Sequence, residues 1–528
     1  MKHTETIYFG GPILTMEEGS APQAVLVRGD RIAAVGELDD LRSLAPGAAE
    51  RVLRARALLP AFVDSHSHIT PVAATLGLCQ LGAAASPAEA AELLAAFRRE
   101  HDIPAGEWVI GFGYDHNVFP GEKHPTRQDL DRVLPDCPAL ITHASGHMGV
   151  MNTLGLEKLG LTSETPDPAG GRLGRDEHGQ LTGYLEEAAF LQVSAALPTA
   201  TPEQALEQLR KAQEVYLSRG ITLVQDGVTG PGQDALLRSL ARENGLLVDV
   251  VGYADLQKSP ELAHKPGVGR YRVCGYKLFL DGSPQGKTAW MRQPYENAGD
   301  YRGYPVHTDG EVDAWVEQAL QENRQILVHC NGDAAAEQLL NACERAQEKV
   351  GRPIATIRPV MIHAQLVGKD QLRRAARLGV IPSFFAAHTW YWGDIHLKNF
   401  GPERGSGISP LGTAQRLGLP FTLHQDSPVI PPDMVESVWC AVCRLTRNGV
   451  RLDPAEAVTP LEALKAVTLH AAAQYGLERE RGSIAPGKRA DFVILSADPT
   501  AVSTQTLRTI RVLETIRDGE TVYTAPNP

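Results

Sequence analysis

The stretch Leu58-Leu59-Pro60-Ala61-Phe62-Val63-Asp64-Ser65-His66-Ser67-His68 decides how this chain is read. Its apolar first half predicts a buried strand, and it stops in two histidines spaced i, i+2. In an extended chain such residues point the same way, so both imidazoles would reach one point beyond the strand end. Neutral imidazole is the commonest side-chain metal ligand. With 17 histidines in the chain, one His-x-His pair is a weak signal. It gains meaning only if later strands end in partners for it.

Such strands follow. From about residue 205, strand candidates at 221–225, 247–252, 273–280, 326–330, 360–363, 379–383 and 420–425 alternate with helical stretches, among them 202–217, 311–323 and 334–349. A last helix is expected over 460–475. With the opening strand this makes eight βα units, the count of a closed (β/α)8, or TIM, barrel of the α/β class.

Outside the alternation lie two ends and an insertion. Thr6-Ile7-Tyr8-Phe9, Ala24-Val25-Leu26-Val27 and Arg31-Ile32-Ala33-Ala34-Val35 read as short strands, and 490–495, 510–516 and 520–523 repeat the pattern. Neither end has enough strand to close a core alone. A composite β-sandwich domain from 1–58 and 476–528 is therefore expected beside a barrel from 59–69 and 201–475. Residues 70–200 start with an Ala-rich helix at 87–100 and continue as loop-heavy sequence, including Gly170-Gly171-Arg172-Leu173-Gly174. An insertion there is expected to cover the C-terminal face, where barrel active sites lie.

Composition narrows the partners. Of 528 residues, 43% are hydrophobic and 22% charged, as in globular proteins with large cores. A net charge of −12 argues against nucleic acid or an anionic membrane as main partner. No apolar run approaches a membrane span, and the first residues lead into strand-like sequence without a secretory apolar region. Seven scattered cysteines fit reduced thiols in a cytoplasm. Cys440-Ala441-Val442-Cys443 lacks a second pair for a zinc or redox site and reads as buried free thiols.

The barrel strands end in chemistry: strand one in His66 and His68, four with Lys277, five in His329, six in His363, eight in Asp426. Each has an ordinary reading alone. A strand-end histidine is more often hydrogen-bonded structure than ligand, Lys277 could be an ion-pair partner, and Asp426 could turn the chain. All six at one height of successive strands are far more specific than any member.

This constellation resembles the amidohydrolase superfamily of metal-dependent hydrolases, over nearly the whole chain and including the terminal stretch Gly482-Ser483-Ile484-Ala485-Pro486-Gly487-Lys488-Arg489-Ala490-Asp491-Phe492-Val493. It is most similar to the branch containing N-substituted formamide deformylases, through Gly113-Tyr114-Asp115, His124-Pro125-Thr126-Arg127, Ser145-Gly146-His147, 277–285 and 390–394. Ala61 departs from the glycine usual after proline in the family. The resemblance implies two divalent ions, most often zinc, with His66, His68 and Asp426 on the first and His329 and His363 on the second. Lys277 would bridge both as a CO2-derived carbamate. An ammonium has no lone pair and repels cations, whereas the neutral amine and CO2 give an anion with one oxygen for each ion.

The implied reaction is attack by a metal-bound hydroxide on the carbonyl of a small-molecule amide, an N-substituted formamide being the nearest named case. Asp426 would take the proton and deliver it to the leaving nitrogen. His143 and His147 in the insertion, and Trp290, Trp390, Tyr391 and Trp392 on barrel loops, are candidate substrate contacts, with loop packing the other reading of the aromatics. His424, His388 and His116 are further candidates. A cyclic-amide hydrolase, a deaminase or a carboxylate-releasing lyase on the same scaffold is an alternative, as is a non-catalytic scaffold protein. Lys277 weighs against the deaminase, and the full set of ligand types against the scaffold. A homodimer is implied by resemblance alone.

Overall fold

Eight apolar strands run parallel in sequence order: β1 (Phe62–Val63), β2 (Ile221–Thr229), β3 (Asp249–Asp255), β4 (Tyr271–Phe279), β5 (Gln325–Cys330), β6 (Val360–His363), β7 (Ile381–Phe384) and β8 (Thr422–Leu423). The computed structural model describes residues 5–526 apart from Ala169 and Thr199. The first four and last two residues of the expected composite domain thus lie outside the described residues. Near-continuous apolar runs such as Val360-Met361-Ile362, fully buried, suit strands covered on both faces. The two outer strands meet beyond their ends. The Asp426 N–H donates to the His66 carbonyl at 3.2 Å, and the Ser65 hydroxyl donates to the Leu423 carbonyl at 2.9 Å. The result is a mixed α/β fold with a curled parallel sheet.

Helices return the chain between strands. Asp309–Gln321 begins in a capping box, with the Thr308 N–H donating to Glu311 at 2.9 Å and the Glu311 N–H donating to the Thr308 hydroxyl. Asp333–Val350 ends at Gly351, whose φ of 70° suits the left-handed cap. The expected last helix is two, Pro460–Ala466 and Leu469–Gln474, because Thr468 leaves helical geometry at φ −134°, ψ −91°.

The opening stretch serves two sheets, not one. Ala57–Pro60 pairs antiparallel with Phe492–Leu495, in a sheet completed by Val512–Arg517 and Glu520–Thr524. Only Phe62–Val63 joins the parallel sheet. The expected single strand breaks at Ala61 because its partners change there: the Ala61 N–H donates to the Asp491 carbonyl, the next one to Gly220. A further four-stranded sheet takes Glu5–Phe9, Ala24–Arg28, Arg31–Gly36 and Ala49–Val52. Residues from both chain ends share one core, including Tyr8, Val25, Leu58, Phe492, Ile494 and Ile516.

Thr70–Ala212 with Ser427–Pro431 forms a compact unit of its own, while the parallel sheet and both terminal sheets belong to the other unit. The inserted unit is not loop-heavy. It holds a six-stranded sheet, and the glycine-rich Gly171–Arg175 is one of its strands, paired antiparallel with Leu181–Glu187. Strands of two to seven residues broken by glycine carry too little alternation to be read from sequence. Cys440 and Cys443 are buried free thiols in the helix Met434–Cys443. Among the described residues no helix is long and apolar enough to cross a membrane.

Leu327 of β5 is fully buried against Leu223, Val251, Val360 and Ile362 inside the parallel sheet. Leu327→Ala is expected to destabilise the protein by about 2–5 kcal/mol, read as a lower denaturant midpoint by far-UV circular dichroism.

Candidate metal centre

Leu327 faces the interior, so by strand alternation His329 does too. Beyond it, backbone conformation sets the site more than alternation does. Ile362 packs in the interior, and its neighbour His363 should point the other way. Yet His363 Nε2 lies 3.1 Å from His329 Nδ1 and 3.9 Å from Asp426 Oδ2. His363 has φ +71°, and Asp426 φ +53°. Such values are uncommon for non-glycine residues and concentrate at functional sites.

His66 and His68 converge as expected, but not by strand alternation. They lie past β1, His66 in a bend and His68 in an isolated bridge to Asp226, and their Nε2 atoms approach Asp426 Oδ1 to 3.3 and 3.1 Å. Gly227, at the end of β2, makes this packing fit. A Cβ there would lie 2.7 Å from His66 Cε1 and 2.8 Å from His68 Cε1. Lys277 Nζ completes the group, 3.3 Å from His66 Nε2 and 4.9 Å from the centroid of the Phe279 ring. All six expected residues therefore gather at one end of the parallel sheet.

A group that can only accept fixes where the His66 imidazole carries its proton. Gln225 Nε2 donates to the Ser65 carbonyl at 3.0 Å and to the Tyr475 hydroxyl at 2.9 Å. Its Oε1 therefore faces His66 Nδ1, at 2.6 Å, and that nitrogen is the protonated one. His329 Nε2 lies between the Gly282 carbonyl at 3.2 Å and the Asn331 amide nitrogen at 3.1 Å, and donation to the carbonyl leaves its Nδ1 bare. This leaves the lone pairs of His66 Nε2 and His329 Nδ1 aimed into the cluster. With a carboxylate between them, these donors fit a zinc-like divalent ion. The donor atoms of His66, His68 and Asp426 all lie within 4.8 Å of one another.

Electrostatics agrees with that chemistry. Burial, helped by nearby Lys277, pulls His66 down to about 4, and burial with the neighbouring His329 holds His363 well below the usual imidazole range. Both are neutral at physiological pH. Burial pushes Asp426 up, but the close approach of the His66 and His68 imidazoles outweighs it and keeps the carboxyl well below its usual range. Burial lowers Lys277 to about 8, so an appreciable fraction is neutral amine near neutral pH. His68, Asp426 and His329 keep 14–17% of their side chains exposed, which marks the open side of the cluster.

The other candidates fall elsewhere. His424 is fully buried behind His363, its Nε2 3.1 Å from His363 Nδ1. His388 is buried between Phe385 and Trp392, its Nδ1 3.0 Å from His396. Trp390 packs on Trp439 and Arg508. The Tyr391 hydroxyl donates to Glu436, and the Trp290 N–H donates to Asp281. In the inserted unit, His147 pairs with Glu187 at 3.0 Å, while His143, His116 and Asp115 form a second group of potential ligands. There the Ser145 N–H donates to His143 Nδ1 at 3.0 Å. The proton therefore sits on Nε2, which faces His116 Nδ1 at 3.1 Å and Asp115 at 3.5 Å. That order makes a hydrogen-bonded network, not an ion site.

Gln225, Gly227 and Tyr475 escape sequence reasoning. The one usable signal was Gln225, a polar residue closing the run Leu223-Val224. Gly227→Ala is expected to push both imidazoles aside and cut bound metal at the His66–His68 pair, with the circular dichroism spectrum unchanged. Metal analysis of the purified variant checks this, and an undiminished content would refute it.

The model of the amidohydrolase family matches residues 53–523, and an imidazolonepropionase-like composite domain of bacteria matches 24–48. The putative amidohydrolase YtcJ of Bacillus subtilis is 29% identical, covering 98% of this chain and 99% of its own. The N-substituted formamide deformylase of Arthrobacter pascens is also 29% identical, over 96% of this chain and 95% of its own. An uncharacterized metal-dependent hydrolase from Pyrococcus horikoshii superposes with a TM-score of 0.76 at 25% identity, covering 95% of this chain and 99% of that one.

Proposed function

This chain belongs to the amidohydrolase family, and from that premise we propose that it hydrolyses a C–N amide bond of a small molecule at a binuclear metal centre. The observation that carries the reading is the convergence of His66, His68, Lys277, His329, His363 and Asp426, with the His66 lone pair turned inward by Gln225. The parallel sheet is read as the (β/α)8 barrel of the family. When bound, two divalent ions, zinc in this proposal, supply Lewis-acid polarisation of the carbonyl and lower the pKa of water.

The chain's own residues do the rest. His66, His68 and Asp426 would hold one ion, and His329 and His363 the other. Lys277, neutral in part because it is buried, would add CO2 at Nζ and release a proton, giving a carbamate anion that both ions could share. Asp426 binds the imidazoles through Oδ1, which leaves Oδ2 to accept a proton from the attacking water. Its depressed pKa keeps it ionised for that step, and the same oxygen returns the proton to the departing amine nitrogen. The balance is amide plus water giving carboxylic acid plus amine. An N-substituted formamide, giving formate and an amine, is the proposed substrate class. The similarity to the Arthrobacter deformylase over nearly its whole length supports it. The Phe279 ring, 38% exposed beside Lys277 and His329, offers an apolar surface for the N-substituent.

Metal analysis should return about two divalent ions per chain. Asp426→Asn should keep most of that metal and lose about 10²–10⁴-fold in turnover, and near-normal activity would remove its role. N-benzylformamide assayed beside acyl amides and cyclic amides tests the substrate. Cleavage of the others alone would leave the hydrolase and discard the formamide.

A further inference from the structure

We propose that His424 is a positioning residue for His363. A chain of hydrogen bonds through His424 and Ser383 takes up the His363 Nδ1 proton and so presents the Nε2 lone pair to the ion held with His329. His424 is fully buried, which removes it from contact with substrate. The contacts run in series. His363 Nδ1 is 3.1 Å from His424 Nε2, and His424 Nδ1 is 2.9 Å from Ser383 Oγ. Ser383 Oγ is 3.3 Å from Ser65 Oγ, and the Ser65 hydroxyl donates to the Leu423 carbonyl at 2.9 Å.

The carbonyl at the end can only accept, so the Ser65 proton is committed to it, and a relay of donors through the two histidines can run in either direction. In the forward order Ser383 donates to Ser65, His424 Nδ1–H to Ser383, and His363 Nδ1–H to His424. Every contact in the series is then a hydrogen bond, and His363 Nε2 is bare, facing the bare Nδ1 of His329 at 3.1 Å. In the reverse order Ser383 donates to His424, His424 Nε2–H to His363, and His363 Nε2–H to His329. That order leaves the Ser383–Ser65 contact without a proton and blocks the ligand atom. A cation between His363 and His329 is compatible with the forward order alone. His424 must then act as acceptor, the role that second partners play for metal-bound histidines. The chain joins β1, β6, β7 and β8, so the two outer strands and the ligand are set together.

This inference rests on the metal reading of His329 and His363, and the test separates the two. Zinc affinity is measured by chelator competition on the wild-type enzyme, His424→Leu and His424→Gln. Leucine fills the space but accepts no bond, and it should weaken the ion at His329 and His363 by about 10–100-fold. Glutamine can accept with its carbonyl and donate with its amide in the forward order, and should restore most of the loss. Wild-type affinity in His424→Leu overturns the relay, as does a glutamine variant as weak as leucine. A wild-type enzyme that binds no metal overturns the metal reading and the relay with it. Should the leucine variant fail to fold, nitrogen NMR of 15N-histidine-labelled, zinc-loaded wild-type enzyme decides. A proton on His424 Nδ1 and a bare Nε2 are expected, and a proton on Nε2 overturns the proposal.

Discussion

The structure depends on one constraint: buried imidazoles whose outer nitrogens are committed to acceptors must turn their lone pairs inward. Gln225 does this to His66, and His329 Nε2 meets the Gly282 carbonyl beside the Asn331 amide. Bare lone pairs and a carboxylate crowded together with little water are unfavourable by themselves. A divalent cation reverses the sign of every one of those interactions. Neutral imidazoles, a carboxyl held ionised and a lysine lowered to about 8 are the protonation states such an ion needs. The protein maintains them by burial and by hydrogen bonding.

Holding side chains in that arrangement requires local backbone compromises. His363 and Asp426 adopt positive φ, a conformation that costs on the order of 1–3 kcal/mol at a non-glycine residue. Asp426 is retained there by the bond from its own N–H to the His66 carbonyl. Gly227 supplies the other compromise, a missing Cβ where two rings lie against the β2 backbone. Positive φ at His363 and Asp426 and the close approach at Gly227 thus lie at the ends of β2, β6 and β8, where the six side chains meet.

Sequence reading reached the eight strands and the six converging residues because both rest on patterns that local physics enforces. Long apolar runs become buried strands, and polar residues at their ends stand out against them. It misread what depends on partners. Leu58 and Phe62 look alike in sequence, and nothing local says that one pairs with Ile494 and the other with Ile221. His66 and His68 converge through a bend at the first and a bridge to Asp226 at the second, not through one extended strand. Trp390 shows the limit for aromatics: its ring rests on Arg508, a residue more than a hundred positions away. Gly171–Arg175 looked like a loop because glycine hides the alternation that its partner strand imposes.

The break at Ala61 also explains why the far C-terminal signature belongs with this site. Leu58 is held by Pro12 and by Ile494, Ala61 by the Asp491 carbonyl, Phe62 by Gly220, Val63 by Val467 and Asp64 by Leu223. Five residues beyond Ala61 the chain reaches His66. The backbone leading to that first histidine is therefore fixed at nearly every step by a different part of the molecule. Asp491 is itself buried, its carboxylate accepting from the Asp518 N–H at 2.8 Å and lying 3.7 Å from Arg481. Arg481 and Arg489 both reach Asp249 at the start of β3. Residues 481–493 thus form a clamp between the terminal sheet and the parallel sheet, and the strand they grip is the one that delivers His66 and His68. Their contribution to the chemistry is to leave that strand a single register.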